Sequence, residues 1–258
     1  MEVMKDMVNL IKNIVPEVMF EGNEVMVWSK MVDASRIQLL YLDYQPRYLF
    51  PFDFPEKMAF DIEHLKLAEK VFSSFKMDYT GEFWIGDKPK GEMIYRNSPG
   101  SNPEIDMKFE TPNPEDFFDI TIPELDITAK FSLYEKFDCK RNNALIIRGD
   151  EVYLGDYELN SSLDGKVMNE RRLTKERAEN KYDLAYYLIH APYKEKADRT
   201  CKAINEFIST FEVVDVGLGL GDYPMTMTGT KYYNINGRRL TLTAKLITAP
   251  KVINEIEL

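Results

Sequence analysis

Three segments of the chain space their apolar residues as an amphipathic α-helix does. Residues 4–15 repeat them at i, i+3, i+4 and i+7 and stop before Pro16, which favours the end of a helix. Residues 61–75 follow the same spacing behind Asp61, a residue type that caps helix N-termini, and residues 195–210 form the third segment. The predicted inward-facing residues of the second and third helices are Ile62, Leu65, Phe72, Phe75, Ala197, Cys201, Ile204 and Ile208.

Short apolar segments between and after these helices predict β-strands. The strands are predicted at 24–28, 36–42, 82–85, 92–95, 127–134, 144–148, 151–159, 182–191, 211–220 and 240–248. Residues 98–123 are rich in Pro, Asn, Asp and Glu and are predicted to be a linker, while residues 168–180 form a charged stretch without an assigned element. The order of the elements predicts an α+β fold with two similar halves.

The balance of charge argues against ordinary nucleic-acid binding. The 258 residues include 33 Lys and Arg against 43 Asp and Glu, a formal net charge of −10, whereas DNA-binding proteins usually have a basic balance. A role on DNA therefore requires the basic residues to be concentrated on one surface. No segment approaches the roughly 18 consecutive apolar residues of a membrane span, so we expect no membrane contact.

The two cysteines, Cys139 and Cys201, lie far apart in sequence and do not have the spacing of metal ligands. We therefore predict two reduced thiols. Glu2, Lys5 and Asp6 lie among the apolar residues of the N-terminus, which argues against a signal peptide. Together these features predict a cytoplasmic protein, or a nuclear one if the source is eukaryotic.

Catalytic motifs are missing from the sequence. The histidines, His64 and His190, have no nearby Cys or His for a metal site, and there is no Gly-x-Ser-x-Gly or phosphate-loop sequence. Gly217-Leu-Gly-Leu-Gly221 is followed by Asp222 and Pro224 rather than by a helix, so a close approach of another element explains its glycines better than a dinucleotide site. We predict no enzyme activity, no cofactor and no metal.

Five short motifs in this chain occur in the order and at the distances found in one protein family. They are Met31-Val-Asp-Ala-Ser-Arg-Ile-Gln-Leu39, Phe60-Asp-Ile-Glu-His-Leu-Lys-Leu67, Ile122-Pro-Glu-Leu-Asp-Ile-Thr-Ala-Lys130, Asp222-Tyr-Pro-Met225 and Leu240–Val252, which contains Ala249-Pro250-Lys251. Pro250 should end the last strand, because proline has no N–H to donate to a sheet. Together the motifs resemble the proliferating cell nuclear antigen (PCNA) family of DNA sliding clamps, in its diverged archaeal or viral form.

The resemblance implies a DNA-clamp fold of two similar domains, each with helices on one face of an antiparallel sheet, which assemble into a ring of three copies. We expect an N-terminal domain at 1–112, an interdomain connector at 113–126 and a C-terminal domain at 127–258. Residues 135–142 are too few for the helix that the family has there. The implied function is a polymerase processivity factor, with double-stranded DNA, DNA polymerase, other clamp-binding proteins, a clamp loader and further copies of itself as partners.

In the family, exposed helix faces line the central hole, and the resemblance implies DNA contact by cations on these faces. The candidates are Lys5, Lys12, Lys66, Lys70, Arg199 and Lys202. Such residues carry no sequence information when they contact phosphates, which suits a sliding contact. The competing interpretation is an ordinary solvated face of an amphipathic helix.

A second set of residues matches the family pocket that takes the hydrophobic and aromatic anchors of a partner peptide. These residues are Val32, Arg36, Ile37, Leu39, Pro123, Leu125, Ile127, Pro224, Ile247, Ala249, Pro250 and Lys251. A partly exposed apolar patch with a polar rim is typical of such sites. For Leu39 and Ile127 in particular, a place in the core is the alternative.

Two other functions remain open at this point. The chain could be one subunit of a heteromeric clamp, which the same motifs would fit. It could also be a viral or plasmid structural protein whose Met- and Phe-rich surfaces serve assembly, in which case particles would be filaments or shells rather than rings.

Overall fold

The computed structural model of the chain describes residues 2–53, 56–75, 79–84, 91–97, 104–162, 164–189, 199–219, 223–250 and 256–257. The chain forms two compact units. Unit 1 comprises Met1–Ala34, Leu40–Thr121 and Thr230–Ala244, and unit 2 comprises Ser35–Leu39, Ile122–Gly229 and Lys245–Leu258. The domain limits expected from the sequence, 1–112 and 127–258 around a connector at 113–126, stay a prediction.

Three α-helices lie within the described residues: α1 (Glu2–Ile11), α2 (Ile62–Phe75) and α3 (Arg199–Phe211). The predicted cap of α2 is confirmed, because the Asp61 carboxylate accepts a hydrogen bond from the Glu63 backbone N–H at 2.7 Å. The predicted inward-facing side chains Ile62, Leu65, Cys201, Ile204 and Ile208 are all buried. The side chains of Phe72 and Phe75 and the whole of Ala197 lie outside what the structure describes.

The described strands are numbered in chain order. They are β1 (Glu17–Gly22), β2 (Val27–Val32), β3 (Gln38–Gln45), β4 (Phe52–Asp53), β5 (Lys57–Asp61), β6 (Tyr79–Trp84), β7 (Gly91–Asn97), β8 (Asp106–Thr111), β9 (Ala129–Leu133), β10 (Asn143–Arg148), β11 (Glu151–Leu159), β12 (Gly165–Arg177), β13 (Glu179–Asn180), β14 (Leu184–Ile189), β15 (Val214–Leu218), β16 (Met225–Ile235), β17 (Arg238–Thr248) and β18 (Ile256–Glu257). β17 ends two residues before Pro250, as the sequence predicts.

Unit 1 contains the strand order β5-β1-β2-β3, in which β1 pairs antiparallel with β5 and β2, and a separate sheet of order β4-β6-β7-β8. Alternate residues of β3 are buried, and this alternation directs one face of the strand into the core. The rings of Phe20, Tyr44, Phe50 and Phe60 pack together there, with centroids 5.0–6.3 Å apart. The helices α1 and α2 pack against each other in the same unit.

Unit 2 contains the strand order β13-β9-β15-β16 and a five-stranded sheet of order β14-β10-β11-β12-β18. The strand β10, which pairs with β14 and β11, is buried at five consecutive positions, a pattern typical of a strand with both faces covered. Ala144, Ile146, Tyr157 and Leu188 form a core cluster on this sheet.

Several predicted boundaries were wrong, each for a local reason. The predicted linker 98–123 contains β8, an edge strand in which charged exposed residues alternate with less exposed ones; this short signal lies within a segment whose Pro, Asn, Asp and Glu content predicts a linker. The strand predicted at 24–28 begins only at Val27, because the Asn23 side chain accepts hydrogen bonds from the backbone N–H groups of Val25 and Met26 and holds a turn. The charged stretch 168–180 is mostly strand β12, and the strands β1, β4, β5, β13, β16 and β18 were not predicted.

The two cysteines are a further correction, since Cys139 and Cys201 form a disulfide rather than two reduced thiols. Their Cα atoms are 5.6 Å apart although 62 positions separate them in sequence. The bond joins α3 to residues 134–142, which we call the tethered segment. This segment contains no helix, as the short interval between the strands β9 and β10 predicts.

Candidate functional site

The helix α1 carries one of the candidate DNA-contacting lysines on its exposed side, and a second lies directly after its last residue. Lys5 is exposed opposite the buried side chains of Met4, Met7 and Ile11. Lys12 follows the last residue of α1 and is half-buried, and its ammonium group donates a hydrogen bond to the Asn9 side chain at 2.7 Å. The amphipathic pattern therefore leaves positive charge on the solvent side of this helix.

The neighbouring helix α2 carries the other two candidate DNA-contacting lysines of unit 1. Lys70 is exposed near its C-terminal end. Lys66 is less available for a ligand, because its ammonium group lies 2.5 Å from the Glu63 carboxylate one turn earlier. Exposed pairs of this kind contribute little to stability, so a phosphate could compete for Lys66 at small cost.

In unit 2, Arg199 and Lys202 are both exposed on α3. The buried side of the helix consists of Cys201, Ala203, Ile204, Phe207, Ile208, Thr210 and Phe211. Arg199 is the first residue of the helix. Lys202 lies three positions further along, so both side chains fall on the solvent side.

All described members of the candidate peptide site except Val32 belong to unit 2. The structure brings two parts of this site together, because the backbone N–H of Ala249 donates to the carbonyl oxygen of Ile37 at 2.8 Å. The Tyr187 hydroxyl donates to the Ala249 carbonyl oxygen at 2.9 Å and fixes the chain just after β17. Lys251 lies outside the described residues.

Ile127 lies against the strands β15 and β16 in the same unit. A Cβ atom added to Gly217 would come within 2.9 Å of Ile127 Cγ2 and 2.7 Å of the Thr226 hydroxyl, so glycine is needed for this close approach. The backbone N–H of Thr128 donates to the Leu218 carbonyl oxygen at 2.8 Å and holds the chain in place just after the predicted connector. For Gly217, this confirms the expectation that another element approaches closely, whereas Gly221 lies outside the described residues.

The candidate peptide residues differ in how much of each side chain a partner could reach. Ile37 is 42% exposed and Ile247 only 6% exposed. Arg36 and Pro123 are exposed, whereas Val32, Leu39, Leu125, Ile127, Pro224, Ala249 and Pro250 are half-buried. A bound peptide could therefore contact Ile37 and the half-buried residues directly, while the burial of Ile247 is that of a core residue.

Sequence reasoning missed two features of unit 2. Ile127 borders a cleft of about 540 Å³ whose polar lining includes Lys130, Ser132, Arg177 and Asp215. The tethered segment also exposes a group of basic side chains, Lys136, Lys140 and Arg141. The signal for this group was the run Cys139-Lys140-Arg141, in which basic residues directly follow a cysteine.

Neither a metal centre nor a membrane-spanning helix is found in the described part of the chain. Among these residues, no group of three or more His, Cys, Asp and Glu side chains is arranged to hold a metal ion. The ring of His64 instead stacks on that of Phe109, with centroids 4.6 Å apart. No helix in the same residues is long and apolar enough to span a membrane.

No protein-family model matches the sequence, and no curated protein matches it either. Solved structures do match. They include PCNA of A. fulgidus bound to the C-terminal region of FEN-1, with a TM-score of 0.65 and 15% identity over 98% of this chain and 97% of that one. PCNA of Entamoeba histolytica matches with a TM-score of 0.62 and 15% identity over 97% of this chain and 96% of that one.

PCNA of Thermococcus kodakaraensis matches with a TM-score of 0.62 and 16% identity over 96% of both chains. The matches extend over nearly the whole chain and include both units. The protein therefore has a PCNA-like clamp fold, and the predicted α+β class is confirmed.

Proposed function

We propose that the protein is a DNA sliding clamp, in which three copies close into a ring around duplex DNA and tether DNA polymerase and other replication or repair proteins. The observation that carries this proposal is the PCNA-like fold, since three solved PCNA structures align with 96–98% of this chain. The proposed activity is tethering without catalysis. A tethered enzyme rebinds at high effective concentration instead of dissociating from its template.

The charge distribution supports a contact with DNA inside a ring. The chain has a formal net charge of −10, yet Lys5 and Lys70 are exposed on helices that pack together in unit 1. An acidic exterior would repel DNA, whereas cations facing the hole would attract phosphates weakly and without sequence preference. This arrangement allows the protein to slide.

The mass of the protein in solution tests the assembly. We expect light scattering to give about 90 kDa, three times the 30.1 kDa of one chain, because a closed ring needs every copy to use the same two surfaces. A mass of 30.1 kDa throughout the micromolar range would contradict the homotrimer. A trimer that forms only with a second polypeptide would identify the chain as a subunit of a heteromeric clamp.

We further propose that the surface around Ile37 and Leu125 binds a short partner peptide. The structure of A. fulgidus PCNA bound to the C-terminal region of FEN-1 provides a precedent in a protein of the same fold. Replacing Leu125 by Ala should weaken binding of a synthetic peptide with apolar and aromatic anchors by about 1–4 kcal/mol, because the anchors then have less apolar surface to pack against. Isothermal calorimetry measures this change.

Ile247→Ala is the matched comparison for Leu125→Ala. Ile247 is 6% exposed, so its truncation should leave a cavity and lower the melting temperature, whereas the half-buried Leu125 should change it little. Unchanged peptide affinity in a folded Leu125→Ala variant would remove Leu125 from the site.

A further inference from the structure

The tethered segment is held on α3 by more than the disulfide. The side chain of Asn205, one turn after Cys201, accepts a hydrogen bond from the Phe137 backbone N–H and donates one to the Phe137 carbonyl oxygen, both at 2.8 Å. Phe137 itself is 4% exposed. The segment is therefore fixed to the helix by a covalent bond and two hydrogen bonds to its backbone, and it buries the Phe137 ring.

A second asparagine satisfies the next part of the segment. The Asn143 side chain donates to the carbonyl oxygens of Asp138 and Arg141, both at 2.8 Å, and accepts from the backbone N–H of Asp138 at 3.2 Å. Backbone groups that a helix would satisfy internally are satisfied here by side chains. The segment thus has a defined conformation without being helical.

The acidic residues of the segment are already compensated. Glu135 pairs with Arg171, and Asp138 lies 3.6 Å from Arg141, which also contacts Asp156 at 2.9 Å. Within the part of the chain that the structure describes, Lys140 and Lys202 form no ion pair. The positive charge of these two lysines is therefore available to an external anion.

The disulfide also limits how far apart the Cα atoms of these lysines can be. Lys140 directly follows Cys139 and Lys202 directly follows Cys201, and the Cα atoms of the two half-cystines are 5.6 Å apart. With about 3.8 Å between consecutive Cα atoms, the Cα atoms of the two lysines lie within about 13 Å of each other. The major groove of DNA is about 12 Å wide, so this spacing is compatible with contacts from both lysines to phosphates of one duplex.

We propose that the tethered segment and α3 together form a phosphate-binding surface whose affinity for duplex DNA depends on the disulfide. This surface, which we call the tethered surface, consists of Lys136, Lys140, Arg199 and Lys202. The inference rests on the proposed clamp function and identifies where unit 2 contacts DNA. Lysines act as point charges rather than as bidentate readers, so the contact is independent of sequence.

Binding of a short labelled duplex by the full chain over a series of salt concentrations tests this surface. The double variant Lys140→Ala/Lys202→Ala should lower the slope of log affinity against log salt by about two, because two fewer phosphates are neutralised. The control Lys130→Ala/Lys181→Ala removes the same charge from exposed positions of unit 2 and should leave the slope unchanged. Equal slopes for the two double variants would overturn the proposal.

The dependence on the disulfide needs a separate measurement. A dithiol opens the bond by thiol–disulfide exchange, which transfers two electrons and leaves two cysteine thiols and the oxidised dithiol. At a temperature where circular dichroism shows both forms folded, the dithiol should weaken DNA binding of the wild-type protein but not of Lys140→Ala/Lys202→Ala. An equal loss in both proteins, or no loss in the wild type, contradicts the disulfide dependence.

Variants of unit 1 separate this inference from the proposed function. If Lys5→Ala/Lys70→Ala lowers the slope of log affinity against log salt and Lys140→Ala/Lys202→Ala does not, the inference about the tethered surface is overturned and the proposed clamp function stands. If neither pair changes the slope and the protein is monomeric, both the inference and the proposed function are overturned.

Discussion

Replacing Cys201 by Ser should lower the free energy of unfolding by about 4 kcal/mol, the largest effect of a single substitution that we expect in this protein. The disulfide closes a loop with a sequence separation of 62, and opening it returns conformational freedom to the unfolded chain. Urea denaturation measures the change. Because single domains have only about 5–15 kcal/mol of stability, the loss should be visible as a much lower midpoint.

Two controls assign this effect to the bond rather than to the new side chain. Cys139→Ser breaks the same bond at a half-buried position, whereas Cys201 is only 1% exposed. If Cys201→Ser lowers the free energy of unfolding more than Cys139→Ser does, the difference is the cost of burying the serine hydroxyl group. Wild-type protein in a dithiol should behave as Cys139→Ser does. If the dithiol leaves the urea midpoint unchanged, the disulfide does not stabilise the fold.

Replacing Asp6 by Ala should cost about 3 kcal/mol, because it removes a buried acceptor whose donors remain. Asp6 is 8% exposed, and one of its carboxylate oxygens accepts hydrogen bonds from the Lys231 ammonium at 2.6 Å and the Tyr233 hydroxyl at 2.8 Å. These bonds attach α1 to β16. Glu2→Ala is the matched control, since Glu2 contacts the same lysine at 2.9 Å but is exposed, and its loss should cost less than about 1 kcal/mol.

The same hydrogen-bond network around Asp6 makes stability depend on pH in the alkaline range. Burial acts to lower the pKa of Lys231, but the hydrogen bonds and charges of Asp6 and Glu2 outweigh it and raise the pKa above its ordinary value of 10.5. A raised pKa means that the folded state holds the proton more tightly, so this stabilisation is complete below about pH 10.5 and is lost as the pH rises through the folded value.

The pH dependence can be isolated by comparison with Lys231→Met. Above about pH 10.5 the wild-type protein should lose stability more steeply than this variant. Burial and the hydrogen bond to Asp6 also raise the pKa of Tyr233, so Tyr233 too makes stability fall at alkaline pH. This contribution is present in the wild-type protein and in Lys231→Met, because both keep Asp6 and Tyr233. Parallel pH profiles for the two proteins would show that Lys231 contributes nothing to the alkaline loss.

Local patterns predicted the elements whose signals lie within a few residues. The helix α2 followed from its apolar spacing and from Asp61 before its first turn, and β11 was predicted with the limits that the structure has. β16 was not predicted, because Gly229 interrupts the pattern of its apolar residues. A Cβ atom at Gly229 would come within 2.3 Å of the Phe211 ring, so the glycine reflects a contact with α3 that the sequence does not reveal.

Contacts between distant parts of the chain could not be predicted in this way. Asp6 interrupts the apolar side of α1, and its partners Lys231 and Tyr233 lie 225 and 227 positions away. The two cysteines are 62 positions apart, and only the fold brings them within bonding distance. For the candidate sites, the sequence located exposed cations on the helices but not the tethered segment, whose conformation depends on Asn143 and Asn205.

Topological linkage to DNA is the most direct test of the proposed clamp. A linear duplex fixed to a bead at one end lets a ring thread over its free end, and streptavidin on a terminal biotin then blocks that end. Electrostatic contacts are screened by high salt, so only a closed ring should survive a high-salt wash. We predict retention when the end is blocked and loss when a nuclease cut frees it. Equal retention with blocked and open ends would contradict a clamp that encloses DNA.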